Sequence, residues 1–451
     1  MDMGKIAVLK FGGTSMGSAS SMQECMKLAK ERISQGKRPF FVVSAISKMT
    51  DSLLRMLEFA KHKKKKDISL LLASLKKRHF DILNELTSNQ ELLKKYTQVL
   101  NKKFSLLMGI LNGVSLLGDY SDKTHALIAS FGEDLSSELM ECCLIENGIK
   151  AKKISSKNFV KTKGDYLAAE VDFAKTKIKF KKILKQINDV TFVMTGFFGS
   201  DGKNIQLLGR GGSDFSGSIA GVSLGANIVE IWTDANGIMS ADPRIIKNAK
   251  SWTELNRDIA AEMARAGAKV LHPKTIVATF YGVDVLVKNT FDKDGPGTLI
   301  NSLINENGVR GIITDDNFSI IHLENQDMFG NSGFVSKIGK ILERNNVSID
   351  IITTSETSVS ITIKTKDLSK NLVENLEKIS RVRVINDTTK VSVIGSNINN
   401  SDIYKKIFEA LDSDKITPLL VNSNNSNCNV GIIVATKDKE KCLLGLHNKI
   451  F

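Results

Sequence analysis

The chain has 451 residues, 42% of them hydrophobic and 25% charged, with a formal net charge of +14. This length predicts roughly three domains with ordinary cores, and no apolar run reaches the roughly 18 residues that a membrane helix needs. The five cysteines have no CxxC spacing, which argues against a disulfide framework or a zinc site and favours the reducing cytoplasm.

Much of the positive charge lies in one segment. Residues 61–110 contain twelve lysine or arginine residues and four acids, a net charge of +8. The segment carries no nucleic-acid-binding motif, so a solvated helix face explains it better than contact with RNA or DNA. Nucleic-acid binding stays as a minority hypothesis.

Strand-like and helix-like segments alternate through the first two thirds of the chain. The predicted strands are residues 6–11, 40–44, 151–155, 190–195, 228–233 and 283–288. One helix is predicted to start near residue 20, and further helices are predicted over 134–146, 214–224, 259–266 and 273–281. Residues 51–117 are leucine-rich at helical spacing, which predicts two or three helices outside the sheet. The alternation predicts an α/β fold with a doubly wound, mostly parallel sheet that binds its ligands beyond the carboxyl ends of the strands.

The pattern changes after the turn at residues 292–297. Beyond it, short strands alternate with single helices, and Ile341-Leu342 followed by Ser360–Ile363 is echoed by Ile407-Phe408 followed by Gly431–Ile433. The tail therefore reads as two copies of one βαββ-type unit.

A glycine-rich turn carries an arginine into a predicted helix. Gly209, Gly211 and Gly212 flank Arg210, and such glycines let backbone approach an anion. Ser213 or Asp214 is expected to cap the helix, whose free N–H groups and dipole attract a carboxylate or phosphate. Arg210 adds a planar fork for a carboxylate. A plain strand-to-helix connection can have the same composition, so this stretch alone does not distinguish an anion-binding site from an ordinary turn.

Other charged residues lie at predicted element ends. Lys10 ends the first strand beside Gly12 and Gly13, which suits phosphate oxygens, although an exposed lysine in a turn has the same pattern. Glu133 falls at a predicted helix start, where capping is the alternative. Asp234 closes another strand, where ordinary turn chemistry is the alternative.

These motifs, in this order, resemble those of the aspartate kinases of the amino-acid kinase superfamily, and the repeated tail resembles their paired ACT domains. The resemblance spans essentially the whole chain. It implies a cytoplasmic enzyme that transfers the γ-phosphoryl group of ATP, with Mg²⁺, to the β-carboxylate of L-aspartate, the first step of lysine, threonine and methionine biosynthesis. It implies neither a nucleic-acid nor a membrane partner. Since that carboxylate is ionised at neutral pH, no general base is required.

The resemblance also implies roles for individual residues. Catalytic roles fall on Lys10, Arg210 and Asp214, and substrate contacts on Thr50, Glu133, Phe197, Arg210 and Ser213. The nucleotide would be held by Lys10, Gly12, Gly13, Thr233, Asp234, Met239, Arg244, Lys269 and Val270. In detail, Arg210 would bind the α-carboxylate of aspartate and Glu133 its α-ammonium group. The chain departs from the family at Met239, where relatives often have an aromatic residue, and at Lys48 and Asp51, where they often have Gly and Asn.

Domain organisation and regulation follow from the same resemblance. It implies a catalytic domain over 1–294 with a helical excursion at 51–117, a first ACT domain over 316–385 and a discontinuous second one from 295–315 and 386–451. The implied effector residues are Met328, Gly333, Phe334, Val335, Asp350, Thr354 and Ser355. The match favours a lysine-sensitive, monofunctional enzyme over a threonine-sensitive one, assembled as a homodimer or a dimer of dimers. The alternatives are a purely structural ACT interface and an ACT-type amino-acid sensor with an inactive kinase body.

Overall fold

The computed structural model describes residues 6–268, 272–326, 332–423 and 427–451. The chain divides into two compact units. The first comprises Met1–Ile238, Ser251–Ala260 and Val270–Ile304, and the second comprises Met239–Lys250, Ala261–Lys269 and Asn305–Phe451. In the described ranges no helix combines the length and the apolar character needed to cross a bilayer.

The elements follow the chain in this order. The strands are β1 (Ile6–Phe11), β2 (Arg38–Val43), β3 (Ala151–Ile154), β4 (Thr162–Lys163), β5 (Glu170–Val171), β6 (Thr191–Thr195), β7 (Phe198–Ser200), β8 (Ile205–Leu207), β9 (Ile228–Thr233), β10 (Ile238–Met239), β11 (Ser251–Trp252), β12 (Glu254–Asn256), β13 (Asp284–Asn289), β14 (Thr298–Asn301), β15 (Gly308–Glu324), β16 (Ile351–Thr354), β17 (Ser358–Lys364), β18 (Arg381–Ser396), β19 (Leu420–Ser423) and β20 (Asn429–Ala435). The α-helices are α1 (Ala19–Ser34), α2 (Met49–Lys61), α3 (Lys65–Leu86), α4 (Gln90–Leu117), α5 (Asp122–Glu146), α6 (Ser156–Phe159), α7 (Phe173–Leu184), α8 (Gly212–Leu224), α9 (Arg257–Arg265), α10 (Phe334–Arg344), α11 (Lys370–Glu377), α12 (Ser401–Ser413) and α13 (Lys439–Ile450).

An eight-stranded sheet forms the centre of the first unit, in the order β12-β14-β13-β9-β1-β2-β6-β3. Every neighbouring pair is parallel except β13 and β14. β1 is buried along its whole length, as expected for a central strand covered on both faces. The predicted α/β fold with a mostly parallel sheet is therefore confirmed.

The leucine-rich segment forms the three helices α2, α3 and α4, which pack with α5 around one apolar core. The helix predicted over residues 273–281 is present and is a 3₁₀ helix, beginning at Pro273, which cannot donate a backbone hydrogen bond.

A six-stranded antiparallel sheet organises the second unit, in the order β16-β17-β15-β18-β20-β19. Two of its strands are unusually long: β15 has 17 residues and β18 has 16. Helices α10 and α11 cover one apolar cluster and α12 and α13 another. The repeated sequence pattern thus corresponds to two α/β halves of the second unit, which share the long strands β15 and β18.

Candidate active site

A cavity of about 380 Å³ lies in the first unit, beyond the carboxyl ends of β1, β2 and β6. Its lining is formed by Lys10, Gly13, Ser44, Ala45, Ile46, Ser47, Lys48, Thr50, Asp51, Glu133, Phe197, Gly211, Gly212, Ser213 and Asp214. Three strand ends, the start of α2, the middle of α5 and the start of α8 therefore meet at one place. This is the edge of a parallel sheet at which ligands are expected.

The loops after β1 and β2 are in direct contact at the cavity. The Ser47 N–H group donates to the Gly13 carbonyl oxygen over 3.1 Å, and the Gly12 N–H group donates to Trp232 on the neighbouring strand β9 over 3.0 Å. A Cβ atom on Gly13 would lie 3.1 Å from the Ala45 carbonyl oxygen. Glycine is thus what allows the two loops to approach this closely.

Lys10 is an anchored cation at the cavity wall. It is only 5% exposed, and its ammonium group forms an ion pair with Asp214 in the first turn of α8. The helix reaches β1 through Gly217, where a Cβ atom would lie 3.0 Å from that of Lys10. The ammonium group is therefore held in place before any ligand arrives, as preorganised electrostatic stabilisation requires.

Glu133 supplies a buried carboxylate to the same cavity. The residue is 3% exposed, and Ser213 Oγ donates to its Oε1 over 3.3 Å. Burial raises the pKa of Glu133 to about 8, although a hydrogen bond from the Ala45 backbone opposes the shift. Within the described residues, Oε2 is buried without a hydrogen-bond partner, so it is an acceptor available to a ligand cation.

The structure corrects two predictions about helix starts. α5 begins at Asp122 with Ser121 as its N-cap, so Glu133 lies inside this helix and does not cap it. α8 begins after Gly211, and neither Ser213 nor Asp214 caps it. Both side chains instead make tertiary contacts, Ser213 with Glu133 and Asp214 with Lys10. These long-range partners exclude the capping roles that the sequence left open, and the substrate and catalytic roles stay predictions.

Two residues that line the cavity hold a left-handed backbone without being glycine. Phe197 has a φ of 75°, and its peptide is fixed because its N–H donates to Ser216 Oγ and its carbonyl accepts from Leu208. Lys48, immediately before α2, has a φ of 65°. Such backbone strain is concentrated at functional sites. Glycine adopts a positive φ without strain, so the glycine that the resemblance places at position 48 would fit there easily.

Several predicted ligand residues lie elsewhere. Arg210 is exposed and outside the cavity lining. Thr233 and Asp234 follow β9, the neighbour of β1, and share a hydrogen bond of 3.2 Å. Met239 and Arg244 belong to the second unit, where Arg244 is paired with Asp242. Lys269 and Val270 lie outside the described residues. The nucleotide and substrate roles of this set stay predictions.

The predicted effector residues belong to the second unit. Gly333 precedes α10, Phe334 and Val335 begin it, Thr354 ends β16, and Ser355 forms the turn to β17 through hydrogen bonds with Ser358. Asp350 precedes β16 and forms an ion pair with Lys390. Met328 lies outside the described residues. The effector roles of this set also stay predictions.

Sequence patterns did not single out Arg78, which lies near the cavity. Arg78 on α3 donates to the carbonyl oxygens of Ser47 at 2.7 Å and Gly17 at 3.1 Å. In the sequence it is one of twelve cations in a segment interpreted as a solvated face, and nothing local distinguishes it. The neighbouring residue Lys77 does fit that interpretation, because it is exposed and paired with Asp81.

A model of the amino acid kinase family matches residues 5–289, and an ACT domain model matches residues 321–373. The chain therefore belongs to the amino acid kinase family. It is homologous to the aspartokinases, which are ATP-dependent kinases: the lysine-sensitive aspartokinase 3 of Escherichia coli is 29% identical over 465 residues, which cover 100% of both chains.

Solved structures agree with this assignment. E. coli aspartokinase III in complex with aspartate and ADP, in the R-state, matches with a TM-score of 0.85 and 27% identity over 99% of this chain and 100% of that one. The same enzyme in complex with lysine and aspartate, in the T-state, matches with a TM-score of 0.80 and 27% identity over the same shares.

Proposed function

We propose that this chain transfers the γ-phosphoryl group of ATP to the β-carboxylate of L-aspartate, forming 4-phospho-L-aspartate and ADP. The observation that carries the proposal is the convergence of an anchored cation, Lys10, and a buried acid, Glu133, on one cavity. An amino acid and a phosphoryl donor need opposite charges of this kind. The E. coli complex with aspartate and ADP supports the same substrates.

The residues predicted to bind substrate and phosphate are proposed to have distinct parts in the reaction, including Arg210, which lies outside the cavity lining. Glu133, once ionised, pairs with the α-ammonium group of aspartate, while Ser213 fixes the orientation of its carboxylate. Arg210 binds the α-carboxylate and Thr50 and Phe197 complete the substrate contacts. The β-carboxylate, whose ordinary pKa is near 4, then attacks the γ-phosphorus as an anion, and the bond to the β-phosphate oxygen breaks. Lys10 neutralises charge on the transferred oxygens, and Asp214 holds Lys10 in place.

Mg²⁺, when present with ATP, would supply charge neutralisation at the phosphates. The described part of the chain contains no group of three or more His, Cys, Asp or Glu side chains that could hold a metal ion. Gly12 and Gly13 provide close backbone approach to the phosphates, and Thr233 and Asp234 extend the same sheet edge toward the nucleotide.

Lysine is proposed as the feedback effector, bound in the second unit with its ammonium group on Asp350 and its carboxylate near Gly333 and Phe334. One relative supports this choice in two ways: aspartokinase 3 of E. coli is named lysine-sensitive, and aspartokinase III of E. coli was solved in complex with lysine and aspartate. The protein is proposed to act as a homodimer or a dimer of dimers.

The direct test measures hydroxylamine-trapped acyl phosphate from aspartate and Mg-ATP in the full-length protein, with lysine or threonine added. Product is expected, with stronger inhibition by lysine. Arg210→Ala should raise the KM for aspartate far more than that for ATP, and Lys77→Ala, at an exposed site, should change neither. No product above background, together with calorimetric binding of lysine, would instead identify an amino-acid sensor with an inactive kinase body.

A further inference from the structure

Arg78 joins two loops that are far apart in sequence. Its Nη1 donates to the carbonyl oxygen of Ser47 at 2.7 Å, and its Nη2 donates to that of Gly17 at 3.1 Å. Gly17 belongs to the loop after β1, and Ser47 to the loop after β2. The guanidinium group therefore bridges the two loops. It is carried by α3, none of whose residues is among those that line the cavity.

The bridge acts on a peptide that is already part of the cavity. Ser47 donates its N–H to Gly13 over 3.1 Å and accepts from Arg78 through its carbonyl, so the backbone on either side of this residue is fixed by tertiary bonds. Both Gly13 and Ser47 line the cavity. The loop around Gly17 is equally tight, since a Cβ atom there would lie 3.0 Å from the Thr14 carbonyl oxygen.

The chemistry of the contact requires arginine. A guanidinium group presents several N–H donors in one plane, so it can reach two carbonyl oxygens in separate loops, whereas an ammonium group is a point charge without that fixed geometry. Arg78 is half-buried, and burial lowers the pKa of its guanidinium group. Hydrogen bonds made by a charged group contribute more than those between neutral groups.

We propose that Arg78 is a positioning residue that holds the loops after β1 and β2 in one arrangement and thereby sets the cavity for both substrates. The inference rests on the proposed function for the roles of those loops. It also assigns a function to the helical excursion, because α3 is the element that carries Arg78 to the loops. We call the contact of Arg78 with the carbonyl oxygens of Gly17 and Ser47 the brace. Through it, the helical excursion supports the site and is not only a solvated surface.

Hydrogen–deuterium exchange of the full-length protein tests the brace without any assay of activity. Arg78→Ala should accelerate exchange in peptides covering residues 12–18 and 44–48 together, by about tenfold or more if two charged hydrogen bonds are lost. Arg78→Lys should restore protection only in part, and Lys77→Ala should match the wild type. Unchanged exchange, a change in only one loop, or full rescue by lysine would each overturn the proposal.

Kinetics supply the second measurement. Arg78→Ala should lower kcat/KM by about tenfold or more for aspartate and for ATP alike, because both loops are released together. A defect confined to one substrate would contradict the shared brace. Should the alanine variant fail to fold, Arg78→Lys carries both measurements. An inactive wild type would contradict the proposed function, and the exchange data would still decide whether Arg78 holds both loops.

Discussion

The ammonium group of Lys390 lies 2.6 and 2.8 Å from the two carboxylate oxygens of Asp350. Only 12% of the Lys390 side chain is exposed, whereas Asp350 lies at the surface, so packing holds the cation of this pair in place. Asp350 is the residue proposed to receive the ammonium group of an effector. A side chain of the protein therefore already provides the charge that free lysine would bring, and an effector has to compete with it.

Replacing Lys390 with an uncharged residue should make the protein more sensitive to inhibition by lysine. Lys390→Met keeps much of the apolar stem but frees Asp350, so the lysine concentration for half-inhibition is expected to fall by about tenfold, the equivalent of one charged hydrogen bond. Lys364→Met is the matched control, since Lys364 also lies near Phe318 but pairs with Asp315. Unchanged or weaker inhibition in Lys390→Met would refute the competition.

Aspartate binding should release a proton from Glu133. Burial raises the pKa of this carboxyl group to about 8, so it is largely protonated in the free protein at pH 7, and pairing with an ammonium group favours its ionised form. Titration calorimetry at pH 7 in buffers of different ionisation enthalpy should show release of close to one proton. The same titration with Glu133→Gln should show none; a buffer-independent enthalpy for the wild type would contradict the prediction.

The same group makes stability depend on pH with a defined sign. Between the ordinary glutamate pKa of 4.5 and about 8, the folded protein keeps a proton that the unfolded chain has released. The free energy of unfolding should therefore fall as pH rises through this window. Urea unfolding at pH 5 and pH 8 should show a smaller difference for Glu133→Gln than for the wild type, whereas an equal difference would exclude Glu133 as its source.

Gly132 should resist substitution although it lies inside a helix. A Cβ atom there would lie 2.6 Å from that of Ala45, a residue of the cavity lining, so Gly132→Ala should destabilise the protein by about 1–3 kcal/mol and raise the KM for aspartate. Gly109→Ala in α4 is the control. Nothing lies within 4 Å of its added methyl group, and it should stabilise by about 0.5–1 kcal/mol. Equal effects in denaturation would contradict the packing argument.

A buried ion pair fixes α1 against the sheet. Arg32 donates through Nε and Nη2 to the two carboxylate oxygens of Glu230 at 2.8 and 3.0 Å, and Trp232 donates to the second of these over 3.0 Å. Glu230→Ala leaves the buried arginine with only the more exposed Glu31 as a partner and should cost about 3 kcal/mol, the lower end for a broken buried pair. Asp81→Ala, which breaks the exposed pair with Lys77, should cost less than about 1 kcal/mol in the same unfolding experiment.

Sequence patterns predicted the parts of the fold that depend on local periodicity. The strand at 228–233 and the end of α8 before Gly225 coincide with the structure, because β-branched and aromatic residues and a left-handed glycine cap are local signals. The start of α5 was placed twelve residues too late. Ser121 signals the true start, but Gly132 interrupts the apolar pattern for a tertiary reason, its packing on Ala45.

The candidate site was predicted as a set of residue types and not as a set of contacts. Lys10, Glu133 and Asp214 are found at one cavity, yet their pairing depends on the order of strands in the sheet, which no single motif encodes. Arg78 shows the limit most clearly, since its partners are backbone carbonyl groups 31 and 61 residues away. Side-chain identity at the partner positions carries no information about such a bond.

The length of β15 and β18 has a consequence for dissecting the protein. Both strands pass through the two halves of the six-stranded sheet, pairing at residues 308–315 with 390–396 and again at 318–324 with 381–388. Cutting the chain between the halves would leave each fragment with severed strands and unpaired ladder edges, which invite aggregation. Neither half is thus a portable module, and grafting either into another protein would require redesigning both strands.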